Sequence, residues 1–248
     1  MEVKNNPAGR LHDLLQVAQR QPGKDKARNA WAKVFDIDSS DTALLLEMLA
    51  DLIGLVSNTK ASIERLENVE HALYLKPFKK LEKFFSQVNL DATWEHWQKQ
   101  LDEPTLYGLQ FAADQLSRSA GSTSISAEDI ASLQEELENF VASVLESDIP
   151  QGLKALFLRN LESVRHALLV YRIRGVDGLE HELERAIGSL MLNRQQIPPD
   201  GDNSEQRKFW EWFFVVVERI NKAVTLSRGL KELAEPTVKA ISQFIDKY

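Results

Sequence analysis

Apolar residues recur at intervals of three and four along most of this chain, a period that fits one face of an α-helix and does not fit a strand. Ile130, Leu133, Leu137, Phe140, Val141, Val144 and Leu145 form one such stripe. Leu45, Leu49, Leu52 and Val56 form another, and Leu153, Phe157, Leu161, Val164, Leu168 and Tyr171 a third. The marks of a β-protein are missing: no period-2 alternation, no Asn-Gly turns and no evenly spaced β-branched runs. The expected fold is all-α, about ten helices in two bundle-like subdomains, residues 1–120 and 121–248. The boundary is placed in Ser117-Arg-Ser-Ala-Gly-Ser-Thr-Ser124, a small, polar run of linker composition.

Punctuation residues place the helices within each half. Two short helices are expected around Gln21-Pro22-Gly23, the second carrying Trp31, Val34 and Phe35. Asp38 to Asp41 offers N-caps for an apolar helix over Ala43–Val56, which Ser57-Asn58-Thr59 should interrupt. A further helix over Lys60–Leu75 should stop before Pro77, because the residue preceding proline disfavours α geometry. Pro77 then suits the start of a helix with Phe78, Leu81, Phe84, Phe85 and Val88 on one side. Segments Ala92–Leu101 and Pro104–Ser117 follow. Ser126 with Asp129 reads as a cap, with Ile125 able to staple onto Ile130, for a helix to Glu146. Pro150 should open a helix reaching Arg174, closed by Gly175 as its C′ glycine. Asp177 to Glu180 caps another over Leu179–Asn193, and Ser204–Arg228 and Pro236–Lys247 complete the set. Leu66-Glu-Asn-Val-Glu-His-Ala-Leu73 matches Leu161-Glu-Ser-Val-Arg-His-Ala-Leu168 at six of eight positions. A duplicated helical hairpin would produce that echo, and so would two leucine-rich helices agreeing by accident.

Composition narrows the function classes. Net charge is −7, with 15 basic and 17 acidic residues before Gly121 and 15 and 20 after it. Neither half carries the basic surplus of a protein that lives on phosphate contacts, so nucleic acid is a disfavoured partner. The chain has no cysteine, which removes disulfides and thiolate chemistry and fits a reducing compartment. The start, MEVKNNPAGRLHDLL, lacks the apolar core of a secretory signal. The apolar windows Ala43–Val56 and Phe209–Val217 fall short of the ~20 residues a bilayer requires. A cytoplasmic protein with no membrane partner is the expectation.

Motifs for chemistry are sparse. No HExxH, phosphate-binding glycine loop or Gly-x-Ser-x-Gly elbow occurs, and neither a metal nor a cofactor is expected. Glu67/His71 and Glu162/His166 sit four apart, at a spacing that on a helix shares a face, and each pair would need further ligands to hold a metal. Arg159-Asn160 before His166 is similar to the arginine–histidine spacing of HEPN-type all-α ribonucleases. That resemblance implies an imidazole as general acid or base and a guanidinium stabilising phosphate charge. Arg65 before His71 and Arg174 before His181 satisfy the same spacing, so the pattern has low specificity.

Two kinds of surface remain. Lys76, Lys79, Lys80 and Lys83 place several ammonium groups on one side of a helix, suited to anions or to a solvated face. Arg165, Arg172 and Arg174 crowd another helix end, where cations complement the dipole. Phe209-Trp-Glu-Trp-Phe-Phe-Val-Val-Val217 is apolar nearly all round, which suits a central core helix. Phe209, Trp210, Trp212 and Phe213 are also candidate partner-binding anchors, since aromatic residues dominate interface energetics. The functional expectation is a non-enzymatic interaction protein or accessory subunit working through apolar helix faces. Its partner would be another protein or a second copy of the chain. The alternative is a metal-independent helical ribonuclease using Arg159 and His166.

Overall fold

A computed structural model describes residues 4, 6–119, 125–196 and 204–227. Those residues hold eleven α-helices, one 3-10 turn (194–196) and no strand, so the fold is all-α. The chain divides into two compact units, residues 4–121 and 122–248.

In the first unit, α1 (Pro7–Gln19) packs against α2 (Ala27–Phe35), α3 (Thr42–Glu64) and α7 (Glu103–Ser119). Asn6 caps α1 by accepting from the Gly9 N–H at 2.7 Å, and Asp41 caps α3 through the Leu44 N–H. The short helices α4 (His71–Leu75), α5 (Phe78–Phe85) and α6 (Trp94–Gln98) fill in around them. The core has an aromatic heart. Trp31 on α2, fully buried, stacks on Phe35 and Phe85 and meets Phe84, Trp94 and Trp97 edge-on or nearly so. A short antiparallel bridge between Lys26 and Thr93 holds α6 in place. There the Ala27 N–H donates to the Ala92 carbonyl at 2.8 Å, and the Trp94 N–H to that of Asp25 at 2.7 Å.

Several expectations for this unit need correction. Ser57-Asn58-Thr59 does not interrupt anything. The Thr59 hydroxyl is buried and donates to the Leu55 carbonyl at 2.6 Å, and Ser62 does the same to Asn58 at 2.8 Å. These side chains bond back within the helix instead of competing with it. With that continuity α3 reaches 23 residues, long and apolar enough to cross a membrane, against the expectation of short apolar windows. Leu45, Met48, Leu49, Leu52, Leu55, Val56 and Ile63 are buried in the unit, while Leu46 and Ile53 are exposed. The predicted helix over Lys60–Leu75 is broken instead: α3 ends at Glu64, and Asn68 takes a left-handed conformation (φ 57°) before α4. Glu67 and His71 therefore do not share a helix. The segments 66–73 and 161–168 also differ in conformation, the second being continuous helix. Val88 leaves the apolar face because α5 stops at Phe85. Ser117 and Arg118 belong to the last turn of α7, so the expected linker begins later; residues 120–124 lie outside the described set.

In the second unit, α8 (Ala127–Glu146), α9 (Gln151–Leu169), α10 (Tyr171–Leu192) and α11 (Glu205–Ser227) pack in a closed cycle, each against the next and α11 back on α8. Ser126 caps α8, its hydroxyl accepting from the Asp129 N–H at 3.0 Å and donating to the Asp129 carboxylate at 2.7 Å. The helix from Pro150 stops at Leu169, five residues before Arg174, and a single turn leads to Gly175. That residue has φ 65° and ψ −157°, a backbone region available to glycine and strained for any other residue. The break is where the sequence places it, although a second one precedes it at Val170. The expected helix over Pro236–Lys247 and residues 197–203 lie outside the described residues.

Candidate functional site

The aromatic candidates of α11 sit in the core of the second unit. Trp210 and Phe213 are fully buried, Phe209 nearly so, and Trp212 lies half-buried with its ring 4.4 Å from that of Phe140. Phe157 stands among Phe140, Phe209, Trp210 and Phe213, at ring separations of 5.0 to 6.4 Å. The Trp210 indole donates to the Gln196 carbonyl at 3.2 Å. The apolar surface of Phe209, Trp210 and Phe213 is occupied within the fold, and that of Trp212 in part.

Arg159 is exposed on α9 and His166 is half-buried on the same helix. Beside His166, Arg165 forms a bidentate pair with Glu162 at 2.5 and 3.0 Å. Hydrogen bonding from Arg165 is the main reason the Glu162 carboxyl lies below its ordinary range, burial opposing and the Arg165 and His166 charges assisting. His71 bonds the Leu66 carbonyl at 2.9 Å, and His181 is exposed.

The exposed apolar surface is concentrated elsewhere, in the first unit. A groove of about 680 Å³ runs between α4 and α7. Leu73 and Tyr74 on α4 line one wall, and Pro104, Tyr107, Gly108 and Phe111 on α7 the other, with Pro77 between them. Leu73 is 63% exposed, Tyr107 55% and Phe111 68%. Three large apolar side chains are thus exposed together around one depression.

The groove follows from how α7 is written. Leu106, Leu109, Ala113 and Leu116 face the core, while Tyr107 and Phe111, four residues apart, occupy a second stripe. Gly108 lies between the stripes, where a Cβ would stand 2.3 Å from the Pro77 Cγ. The missing side chain lets the proline ring seat against the helix backbone. Gly108→Ala should therefore destabilise the protein by about 1–2 kcal/mol, although alanine is the better helix former by ~1 kcal/mol, because the steric conflict exceeds the propensity gain. Chemical denaturation measures this; a stabilised variant would show that Pro77 moves aside freely.

The groove's rim is charged. Lys80 pairs with Asp102 at 2.5 Å, and Arg118 with Asp114 at 2.7 Å. Lys76, Lys79 and Lys83 are exposed and make no ion pair among the described residues. Of the four predicted anion-binding lysines, Lys76 and Lys80 line the groove, while Lys79 and Lys83 stand beyond it. Partial burial pushes the Asp102 carboxyl up, but hydrogen bonds from Lys80 and from the hydroxyl and N–H of Thr105 together hold it below its ordinary value. A carboxyl lowered by folding stabilises above its unfolded pKa, about 3.9, and loses that contribution as pH falls through the lowered folded value. The Asp102 carboxyl carbon should thus titrate below the free aspartate range by NMR, and Lys80→Met should move its midpoint upward. An unchanged midpoint in that variant would remove Lys80 as a cause.

A second, smaller groove of about 410 Å³ lies between α3 and α5, lined by Ile53, Val56, Lys60 and Phe85. Lys60 crosses it to Glu82 at 2.9 Å. Neither groove includes Arg159 or His166. Among the described residues no three His, Asp or Glu side chains converge as a metal site would require. Compared with known protein families, curated proteins and solved structures, the chain has no significant match.

Proposed function

We propose that this protein is a non-enzymatic interaction module that binds a protein partner through the groove between α4 and α7. The observation carrying this reading is the joint exposure of Leu73, Tyr107 and Phe111 around one cavity. Burying them would stabilise a complex through the same apolar transfer that drives folding, and aromatic side chains in a central pocket are the usual anchors of such complexes. The module uses an apolar helix face, as the sequence suggests, though on α7 and not on α11. Its setting is cytoplasmic on this reading, in keeping with the lack of cysteine.

Photo-crosslinking in the native host tests it. With benzoylphenylalanine in place of Phe111, irradiation should give one predominant adduct, which a second substitution, Tyr107→Asp, removes. The same probe at Val215, an exposed apolar residue of the other unit, should not give that adduct. An adduct of twice the chain mass would identify a second copy as the partner. Equal, diffuse labelling at both positions would refute the module. RNA cleavage by the purified protein, lost in His166→Ala with folding intact, would replace it with the enzyme.

A further inference from the structure

Resting on the reading of the groove as a docking surface, we infer that its occupant is the apolar face of an acidic amphipathic helix. Length comes first. From Pro104 to Arg118 the α7 wall of the groove spans fourteen residues, about 21 Å at 1.5 Å per residue. A wall of that length has room for a row of side chains. Such a row is what a helix presents at positions i, i+3 or i+4, and i+7 when it lies in a groove. On the protein side Tyr107 and Phe111 stand about one helical turn apart along the α7 wall, with Leu73 on the α4 wall.

Charge then selects among helices. The Asp114–Arg118 pair is internally neutral, and Asp102 is matched by Lys80. Among the described residues, the cations without an ion pair at the Pro77 end, Lys76 in the groove wall and Lys79 and Lys83 beyond it, stand against one such acid beside Pro104, Glu103, so the balance there is positive. The chain as a whole is at −7, so this patch is a local reversal of its field. An acidic partner gains there and a basic one is repelled.

A display library of helical peptides about 18 residues long, five turns, randomised in charge, tests the inference on the full-length protein. Selection against the wild type, with counter-selection on Phe111→Asp, should enrich sequences with an apolar stripe and a negative net charge. Phe111 is mostly exposed, so that variant keeps its fold, which circular dichroism checks. Enriched peptides should lose about tenfold in affinity in about 0.5 M salt, where exposed charges are screened. In the Lys76→Glu/Lys79→Glu variant the preference should shift to basic peptides.

Enrichment of neutral or basic sequences on the wild type would overturn the acidic occupant, and so would peptides indifferent to Lys76→Glu/Lys79→Glu. No enrichment over Phe111→Asp would do the same, while the crosslinking at Phe111 would still decide whether the groove binds a protein at all. Tight binding of dansyl-undecanoic acid that displaces every selected peptide would reassign the groove to a fatty-acid anion.

Discussion

Trp31→Ala should unfold the first unit under conditions where the native protein is intact. The expected loss is about 3–5 kcal/mol, the usual cost of truncating a fully buried large aromatic residue. Domain stabilities of about 5–15 kcal/mol leave little margin against it. The reason is positional as much as volumetric. Trp31 of α2 is the ring on which Phe84 and Phe85 of α5 and Trp94 and Trp97 of α6 meet, with centroid distances from 5.2 to 6.3 Å. These helices are eight and five residues long, too short to persist alone, so packing on this ring is what keeps them folded. Among the described residues no hydrogen-bond acceptor reaches the buried Trp31 Nε1. Trp31→Phe should accordingly cost much less, because it removes an unsatisfied donor along with part of the volume. Thermal melts followed by near-ultraviolet circular dichroism compare the two; equal losses would mean that ring volume alone decides the outcome.

Trp210→Ala should cost a similar 3–5 kcal/mol in the second unit, for a related reason. The indole is fully buried, packs 5.0 Å from Phe157, and supplies the hydrogen bond to Gln196 that ties α11 to the turn at 194–196. The variant also separates two roles for the aromatic run of α11. A core residue should lose stability and leave any complex formed by the surviving folded protein unchanged. A residue whose main work is partner binding should show the reverse, with an unaltered melting temperature and a lost crosslinked adduct. The burial of Phe209, Trp210 and Phe213 leads us to expect the first outcome.

These residues show which features were legible in the sequence. The stripes through Leu45–Val56 and Leu153–Tyr171 were, because helical periodicity reports directly which side chains are buried. Ser126 and Gly175 were, because a cap and a positive φ each demand a narrow set of residue types. Ser57-Asn58-Thr59 misled because hydroxyl side chains serve breaks and helix interiors alike, and only the Leu55 carbonyl beneath Thr59 distinguishes them. The helix end at Leu169 carried no local mark. Val170, Tyr171 and Ile173 are all buried, and the Tyr171 hydroxyl accepts from the Ile125 N–H, 46 residues away. The groove had a partial signal. Tyr107 and Phe111 lie off the buried stripe of α7, a surplus of apolar residues that one core face cannot use. Their pairing with Leu73 depends on how α4 packs against α7, which no local pattern encodes.

The contact between Pro77 and Gly108, both of which line the groove, gives it a control separate from its apolar anchors and its lysines. Pro77 is buried and Gly108 has no side chain to offer, yet their separation governs how near α4 can come to α7. A methyl group added at residue 108 acts as a wedge driven in from below, altering the gap while Leu73, Tyr107, Phe111 and the lysines keep their identity. Shape and chemistry of recognition can then be varied independently: residue 108 for the width, residues 76 and 79 for the sign of the charge.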